Sequence, residues 1–159
     1  MPELPDLTVV AEELERRIAG RTVIEGSAPT PILVRATPDE VAALAGTTIG
    51  APRRRGKFLL IPFARDGAES RLLAANPMLA GRFWLTASSE RVRARTGLRL
   101  HLDGDEDLRY VDREMLGKLY LVPPDSLSDV PGWEEMGPDA DDPDLAFPVA
   151  LPPETRLMI

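Results

Sequence analysis

Short strand-like segments separated by turn residues dominate the chain before residue 123, and this pattern constrains the fold more than any other feature. Nine such segments follow one another, at residues 22–25, 32–36, 47–52, 58–63, 71–75, 81–86, 98–102, 108–111 and 118–122. Many short strands at a spacing of about 8–12 residues are typical of antiparallel sandwiches and barrels. The sequence therefore predicts a mostly antiparallel β architecture.

Two helices accompany the predicted strands. Residues 6–19 form the first, because apolar residues recur on one face at helical spacing, at Leu7, Val10, Ala11, Leu14 and Ile18. The second begins at Thr37-Pro38-Asp39-Glu40, which has the pattern of a capping box with proline at the first helical position. The predicted fold class is α+β, mostly β, with two helices flanking the strands.

Charge and proline divide the chain at residue 123. Residues 123–159 contain nine acidic residues, one basic residue and half of the 16 prolines, whereas residues 1–122 are nearly neutral. We expect residues 1–122 to form one β domain and residues 123–159 to be an acidic, proline-rich linker or extended wrap. A longer protein is expected to continue past residue 159.

Several function classes are excluded by composition. The chain has no cysteine, so it has no disulfide, no thiol nucleophile and no zinc finger within these residues. No apolar run approaches the roughly 18 residues of a membrane span, and the beginning of the chain lacks a secretory signal pattern. We expect a cytoplasmic protein without a membrane partner.

The chain begins Met1-Pro2-Glu3-Leu4-Pro5. Removal of Met1 would leave a secondary amine beside a carboxylate, and an amine that titrates near neutral pH is a competent nucleophile toward an electrophilic carbon. The same pentapeptide also suits the first turn of a helix, which favours proline and acidic residues. These five residues alone leave both interpretations open, a nucleophilic amine and the first turn of a helix.

Four further stretches, taken in order, point to one family. They are Ala19-Gly20-Arg21-Thr22 at the end of the first helix, Arg54-Arg55-Gly56-Lys57-Phe58-Leu59-Leu60, Asn76-Pro77-Met78-Leu79-Ala80-Gly81-Arg82-Phe83, and Leu108-Arg109-Tyr110-Val111-Asp112-Arg113-Glu114-Met115-Leu116-Gly117. Together with the opening pentapeptide they resemble the N-terminal domain of the formamidopyrimidine-DNA glycosylase and endonuclease VIII family. Glu134-Glu135-Met136-Gly137-Pro138-Asp139 is similar to the segment that leaves that domain.

The resemblance implies a two-layered β-sandwich and a base-excision-repair DNA glycosylase with abasic-site lyase activity. In the family, the proline amine attacks the sugar of a nucleotide that has been turned out of the duplex. By resemblance, Pro2 is the nucleophile, Glu3 protonates the sugar ring oxygen, and Lys57 holds a phosphate near the lesion. The expected partner is damaged or abasic DNA, bound by a monomer.

The resemblance also implies the residues that contact DNA. They are Arg54, Arg55, Asn76, Met78, Leu79, Arg82, Arg113, Met115 and Leu116. Leu79, Met115 and Leu116 correspond to the residues that fill the vacated base stack. Arg53-Arg54-Arg55 could instead be a polar sheet edge that discourages strand pairing. No cofactor is expected in this chain, while the family's second half implies a helix–two-turn–helix module and a structural zinc beyond residue 159.

Departures from the family pattern leave the function open. Asn76 stands where the family usually has histidine, and the arginine that would read the orphaned base is missing, with only Arg113 nearby. The alternative is a non-catalytic protein of the same fold that binds DNA lesions or structured DNA. A third interpretation is a free-standing sandwich whose acidic tail binds a protein partner.

Overall fold

The computed structural model describes residues 4–139, with side chains from residue 6 onward. The helices are α1 (Leu4–Ile18) and α2 (Pro38–Ala42). The strands are β1 (Val23–Ser27), β2 (Val34–Arg35), β3 (Thr48–Ile49), β4 (Arg53–Arg55), β5 (Phe58–Arg65), β6 (Ala68–Asn76), β7 (Gly81–Ala87), β8 (Thr96–Leu102), β9 (Glu106–Asp112) and β10 (Lys118–Val122). Short 3₁₀ helices lie at Pro31–Leu33 and Leu127–Asp129.

The strands form two sheets that pack face to face. One sheet has the order β1-β8-β9-β7, and the other has the order β2-β10-β6-β5-β3, with β4 also paired to β5. All pairs are antiparallel except the short pair between β2 and β10, which is parallel. The predicted two-layered sandwich flanked by two helices is confirmed, and β4 is a strand that the turn pattern did not predict.

α1 uses the apolar face that its sequence period predicts. Leu7, Ala11, Leu14 and Ile18 are buried, and the last three enter the core between the sheets. α2 begins with the predicted capping box, in which the Glu40 amide donates to the Thr37 hydroxyl and the Thr37 amide donates to the Glu40 carboxylate.

The long strand β5 is buried on both faces, which explains its continuous apolar run. Leu59, Ile61 and Phe63 point into the core between the sheets, whereas Phe58 and Leu60 belong to a second apolar cluster on the outside of the same sheet. That second cluster is covered by Val130, Leu127, Trp133 and Met136. Residues 123–139 therefore pack against the sandwich, while residues 140–159 lie outside the described part of the chain.

A buried carboxylate stabilises the outward face of the other sheet. Asp107 has no exposed side-chain surface, and it accepts hydrogen bonds from Arg99 at 2.7 Å and from Arg109 at 2.6 Å, with the His101 Nδ1 at 3.1 Å. Burial opposes ionisation of Asp107, but the bonds from Arg99, Arg109 and His101 outweigh it and hold the pKa below its ordinary value. Arg109 also donates to the carbonyls of Glu90 and Arg91, so the network fastens the segment between β7 and β8.

Within residues 4–139, no helix combines the length and the apolar character that a bilayer crossing requires.

Asp107→Asn should lower the free energy of unfolding by about 3–5 kcal/mol, because it leaves buried arginine charge without its carboxylate. Urea unfolding at pH 7 measures the change. Asp105→Asn is the matched control, since Asp105 is exposed in a turn at a φ of 59° that asparagine tolerates. Equal losses in the two variants would contradict the assigned role.

The free energy that Asp107 contributes to folding should also depend on pH. Folding lowers the pKa of Asp107 from its ordinary value of 3.8. The stability that its ionised form contributes is therefore fully present above pH 3.8 and is lost as the pH falls from there through the lowered pKa of the folded state. The stability difference between the unsubstituted protein and Asp107→Asn should therefore shrink only below about pH 4.

Candidate functional site

The predicted nucleophile Pro2 and the predicted acid Glu3 lie outside the described residues, and their roles stay predictions. In the sequence they directly precede α1, which begins at Leu4. The described part of the site is therefore built around the first turns of this helix.

A cavity of about 540 Å³ lies between the first turns of α1 and the beginning of β7. Its lining is largely apolar and consists of Asp6, Leu7, Val9, Val10, Leu59, Pro77, Leu79, Gly81, Arg82 and Phe83. Val9 is 62% exposed and Leu79 is 57% exposed, so both present apolar surface to solvent at this cavity. The predicted wedge residue Leu79 and the start of α1 thus share one cavity.

Two loops connect the sheets beside this cavity: the 77–80 loop, which joins β6 to β7, and the 113–117 loop, which joins β9 to β10. Asn76 is the register partner of Lys118 in one sheet, and Gly81 is the register partner of Asp112 in the other. Since paired residues lie about 5 Å apart, the two loops begin and end side by side. The structure thereby brings together the segments that carry Met78 and Leu79 and those that carry Met115 and Leu116.

Asp112 holds the 113–117 loop in shape. This buried carboxylate accepts hydrogen bonds from the backbone amide of Glu114 at 3.0 Å and from that of Gly117 at 2.6 Å. Met115 has a φ of 59°, an uncommon conformation for a residue with a side chain, and Leu116 is 46% exposed. The loop therefore exposes an apolar side chain from a backbone that buried hydrogen bonds stabilise.

The 77–80 loop has a related construction. The Asn76 side-chain oxygen accepts a hydrogen bond from the Met78 amide at 3.3 Å, and Met78 has a φ of 51°. The Gly81 amide donates to the Pro77 carbonyl at 2.9 Å, which closes the loop. Asn76 thus shapes the loop through its oxygen, and its predicted contact with DNA phosphate stays a prediction.

Tyr110 supports both loops from below. Its ring is fully buried, packs edge-on against Phe83 with centroids 5.1 Å apart, and ends at a hydroxyl for which no hydrogen-bond partner is found among the described residues. A Cβ atom at Gly81 or at Gly117 would overlap this hydroxyl. Glycine at these two loop ends therefore provides the space that the tyrosine occupies.

Lys57 lies at the tip of the 53–58 hairpin, the tight turn between β4 and β5. It is exposed, with its Nζ 5.6 Å from the centre of the Phe58 ring. Arg54 has only 7% of its side chain exposed and is bonded to Thr8 on α1 and to Asp139, whereas Arg55 is 36% exposed. Arg54 is thus a packed residue that joins the hairpin to its neighbours, and DNA contact by Arg54 and Arg55 stays a prediction.

The remaining predicted contacts lie on the surface next to the loops. Arg82 and Arg113 are both exposed, and Arg82 donates to the Gly81 carbonyl at 2.8 Å. Arg95 donates to the Arg113 carbonyl, and the Asp112 amide donates to the Arg95 carbonyl at 3.2 Å. The arginine-rich segment before β8 is therefore fastened to the 113–117 loop.

Sequence reasoning missed the residues that support the site, namely Tyr110, Asp112 and Asp139. Asp112 and Asp139 each have a glycine nearby in the sequence, Gly117 and Gly137, but so does the exposed Asp66, which precedes Gly67. Only the contacts distinguish them from the other acidic residues of the chain. No cluster of three or more His, Cys, Asp or Glu side chains suited to a metal ion occurs in residues 4–139.

Residues 1–119 match the family described as the formamidopyrimidine-DNA glycosylase N-terminal domain. The formamidopyrimidine-DNA glycosylase of Synechococcus sp. is 31% identical over 149 residues, which cover 87% of this chain and 51% of that protein. The one from Nocardia farcinica is 33% identical over 132 residues, which cover 77% of this chain and 45% of that protein. The chain thus spans about half the length of these relatives.

Solved structures of the same kind of protein share the fold. Lactococcus lactis Fpg in complex with abasic-site-containing DNA superimposes with a TM-score of 0.71 at 26% identity, over 80% of this chain and 46% of that one. MutM in complex with carbocyclic 8-oxo-G-containing DNA gives a TM-score of 0.72 at 26% identity, also over 80% of this chain and 46% of that one.

Gly117→Ala should destabilise the protein by about 1–3 kcal/mol through overpacking against Tyr110, and Tyr110→Phe should restore part of the loss. The same second substitution should help Gly81→Ala less, because the Pro77 backbone carbonyl oxygen would still lie 2.6 Å from the new Cβ atom, whereas the contact left at Gly117→Ala is a side-chain oxygen of Asp112 at 2.8 Å. Tyr110→Phe alone should be neutral or stabilising, since it removes a buried hydroxyl without a described partner.

Thermal unfolding of the single and double variants measures these effects. Gly137→Ala is the control, because nothing lies within 4 Å of a Cβ atom built at that position. If Tyr110→Phe rescued neither glycine variant, the proposed packing of the tyrosine beneath the loops would be wrong.

Proposed function

The chain belongs to the formamidopyrimidine-DNA glycosylase family through its N-terminal domain, and from this premise we propose that it is the catalytic domain of a base-excision-repair DNA glycosylase with abasic-site lyase activity. Its substrate is a damaged or abasic nucleotide that is turned out of duplex DNA. The protein acts as a monomer on DNA in the cytoplasm.

The observation that carries the proposal is the cavity shared by the beginning of α1 and Leu79. A group at the end of a chain cannot reach the sugar carbon C1′ through stacked bases, so the nucleotide must leave the helix. An apolar side chain that enters the stack compensates for the lost base contacts. This reaction needs a wedge on one side of a cavity and, on the other side, the segment that follows the nucleophile.

In the proposed reaction, Pro2 attacks once Met1 has been removed. The amine lone pair forms a bond to C1′, the bond from C1′ to the base breaks, and the base leaves with that electron pair. Loss of the amine proton and opening of the sugar ring, with Glu3 protonating the ring oxygen, give an iminium. The iminium acidifies the neighbouring C2′–H, and loss of that proton expels the 3′ phosphate, which cleaves the strand.

Lys57 holds a phosphate of the strand under attack. The ammonium is exposed at a hairpin tip, on a turn whose position is set by β4 and β5. A charge-assisted contact to phosphate fixes the position of the strand without reading its sequence. Arg55, Arg82 and Arg113 add positive charge for further phosphate contacts.

Leu79, Met115 and Leu116 form the proposed wedge. Their loops lie side by side, and Leu79 and Leu116 are both substantially exposed although they are apolar. Met78 and Asn76 support the first of these loops. The second half of the protein, with its helix–two-turn–helix module and zinc finger, is proposed from the greater length of the relatives and supplies the other wall of the DNA cleft.

A non-catalytic protein that binds lesions is the second candidate. It is favoured by asparagine at position 76 and by the wedge, which offers Met115 and Leu116 but no arginine directed at the orphaned base. Such a protein would use the same loops and cavity without forming a covalent bond.

The full-length protein, with Met1 removed, should form a borohydride-trapped adduct with a duplex that contains one abasic site. Pro2→Gly should strongly reduce the adduct, because it replaces the secondary ring amine that the proposed reaction uses with a primary amine. Gel electrophoresis measures the adduct, and Pro5→Gly serves as the matched control that keeps it. Lesion-dependent affinity without an adduct in the unsubstituted protein would favour the non-catalytic candidate instead.

Leu79→Ala should weaken the preference for abasic over intact duplex by about tenfold or more, since a truncated side chain fills the vacated stack poorly. Fluorescence titration with both duplexes measures the preference. Ile32→Ala is the control, because Ile32 is similarly exposed, at 61%, and does not line the cavity. An equal effect of both substitutions would contradict the wedge assignment.

A further inference from the structure

Residues 123–139, here called the returning segment, cross the outside of one sheet and reach the hairpin that carries Lys57. Trp133 packs on Phe58 with ring centroids 5.8 Å apart, and the Arg55 guanidinium lies 6.0 Å from the centre of the Trp133 ring. Met136 packs with the same apolar cluster. The chain therefore returns to the 53–58 hairpin from a distant part of the sequence.

Asp139 makes a polar junction at this point. Its Oδ1 accepts a hydrogen bond from Arg54 Nη1 at 2.8 Å and another from the Gly56 backbone amide at 2.8 Å. Its Oδ2 lies 3.5 Å from Arg55 Nη1. One carboxylate thus binds three successive residues of the hairpin directly before Lys57.

Arg54 extends the junction to α1. Its Nε donates to the Thr8 hydroxyl at 3.1 Å, and its Nη1 also lies 3.3 Å from the Gly56 carbonyl. The side chains of Arg54 and Asp139 are 7% and 18% exposed. The pair therefore joins α1, the hairpin and the returning segment in a place largely shielded from water, where a charge-assisted bond has a well-defined geometry.

The turn itself is tightly enclosed. Gly56 has a φ of 53°, a conformation that glycine adopts without strain, and a Cβ atom there would overlap Met136 Sδ. A Cβ atom at Gly132 would come within 2.8 Å of Lys57 Nζ. The returning segment thus passes close to both residues of the turn, and the lysine amine lies against its backbone.

Asp139 is ionised at neutral pH. Burial disfavours its charge, but the bonds from Arg54 and from the Gly56 amide outweigh that effect and keep the pKa below its ordinary value.

We propose that Asp139 is a positioning residue for Lys57: its carboxylate fixes the Arg54–Gly56 backbone and thereby the direction in which the lysine presents its ammonium to DNA. This inference rests on the proposed function, in which Lys57 holds a phosphate. Asp139 itself touches neither DNA nor the reacting atoms. A displacement of about 1 Å in a positioning group can slow a reaction by as much as a hundredfold, so the junction bears on rate more than on binding.

The experiment compares Asp139→Asn with Lys57→Ala and with the double variant in the full-length protein. Asp139→Asn should lower the rate of borohydride trapping at saturating abasic DNA by about tenfold or more. Affinity for a duplex with a tetrahydrofuran abasic analogue should change less than about threefold, because the carboxylate makes no DNA contact. Since Asp139 acts through Lys57, the Asp139→Asn substitution should have little further effect in the Lys57→Ala background.

Two further measurements separate positioning from general stability. Asp139→Glu should recover a large part of the rate because it keeps the charge, and Glu134→Gln should be neutral because Glu134 is an exposed acid of the same segment. Hydrogen exchange should be faster in Asp139→Asn in the peptides that meet at this junction, above all the one covering residues 53–58, and unchanged in the β1-β8-β9-β7 sheet.

The proposal is overturned if the Asp139→Asn rate equals that of the unsubstituted protein, or if rate and affinity fall together. It is also overturned if the effects of Asp139→Asn and Lys57→Ala are additive. Failure of the proposed function has a different signature: the unsubstituted protein forms no adduct at all. In that case the positioning role of Asp139 is also rejected, whatever the result of the hydrogen-exchange experiment.

Discussion

The site depends on the strand register that links the two sheets. Asn76 pairs with Lys118 in one sheet, and Gly81 pairs with Asp112 in the other, so the two connecting loops start and finish on neighbouring residues. Flexible loops of the same sequence would not keep Leu79 and Leu116 on one edge of the sandwich. The ladders of backbone hydrogen bonds hold them there, and Tyr110 fills the space beneath both loops because glycine occupies positions 81 and 117.

Carboxylates with little or no exposure hold individual loops in defined positions, which apolar contacts alone do not do. Asp107 binds Arg99 and Arg109, and Arg109 in turn holds the segment before β8. Asp112 binds the amides of the 113–117 loop, and Asp139 binds the hairpin. A hydrogen-bonded carboxylate is directional, whereas apolar burial is not. The apolar core thus stabilises the sandwich, and a few acids decide how its loops are presented.

Composition alone gave an incomplete account of residues 123–139, the described part of the acidic segment. Acidity and proline content predict a linker or wrap for residues 123–159, and the structure shows residues 123–139 against the outside of a sheet. Yet Val130, Trp133 and Met136 close a second apolar cluster there, and Asp139 bonds to the hairpin. A charge count treats every acid of the segment alike, because it contains no information about which acid meets a buried arginine.

The sequence by itself determined both helices and a mostly antiparallel β fold, because periodicity, capping residues and turn residues act over a few neighbouring positions. The sequence also indicated the family, and with it the two-layered sandwich, through its ordered motifs. It also indicated the cluster of candidate wedge residues, through motifs whose order along the chain matches the family. Only the tertiary structure decided that Arg54 is packed against α1, that Tyr110 supports two loops, and that Asp139 meets the Lys57 hairpin. These contacts join residues as many as 85 positions apart, and strand register and packing, rather than local preference, bring such residues together.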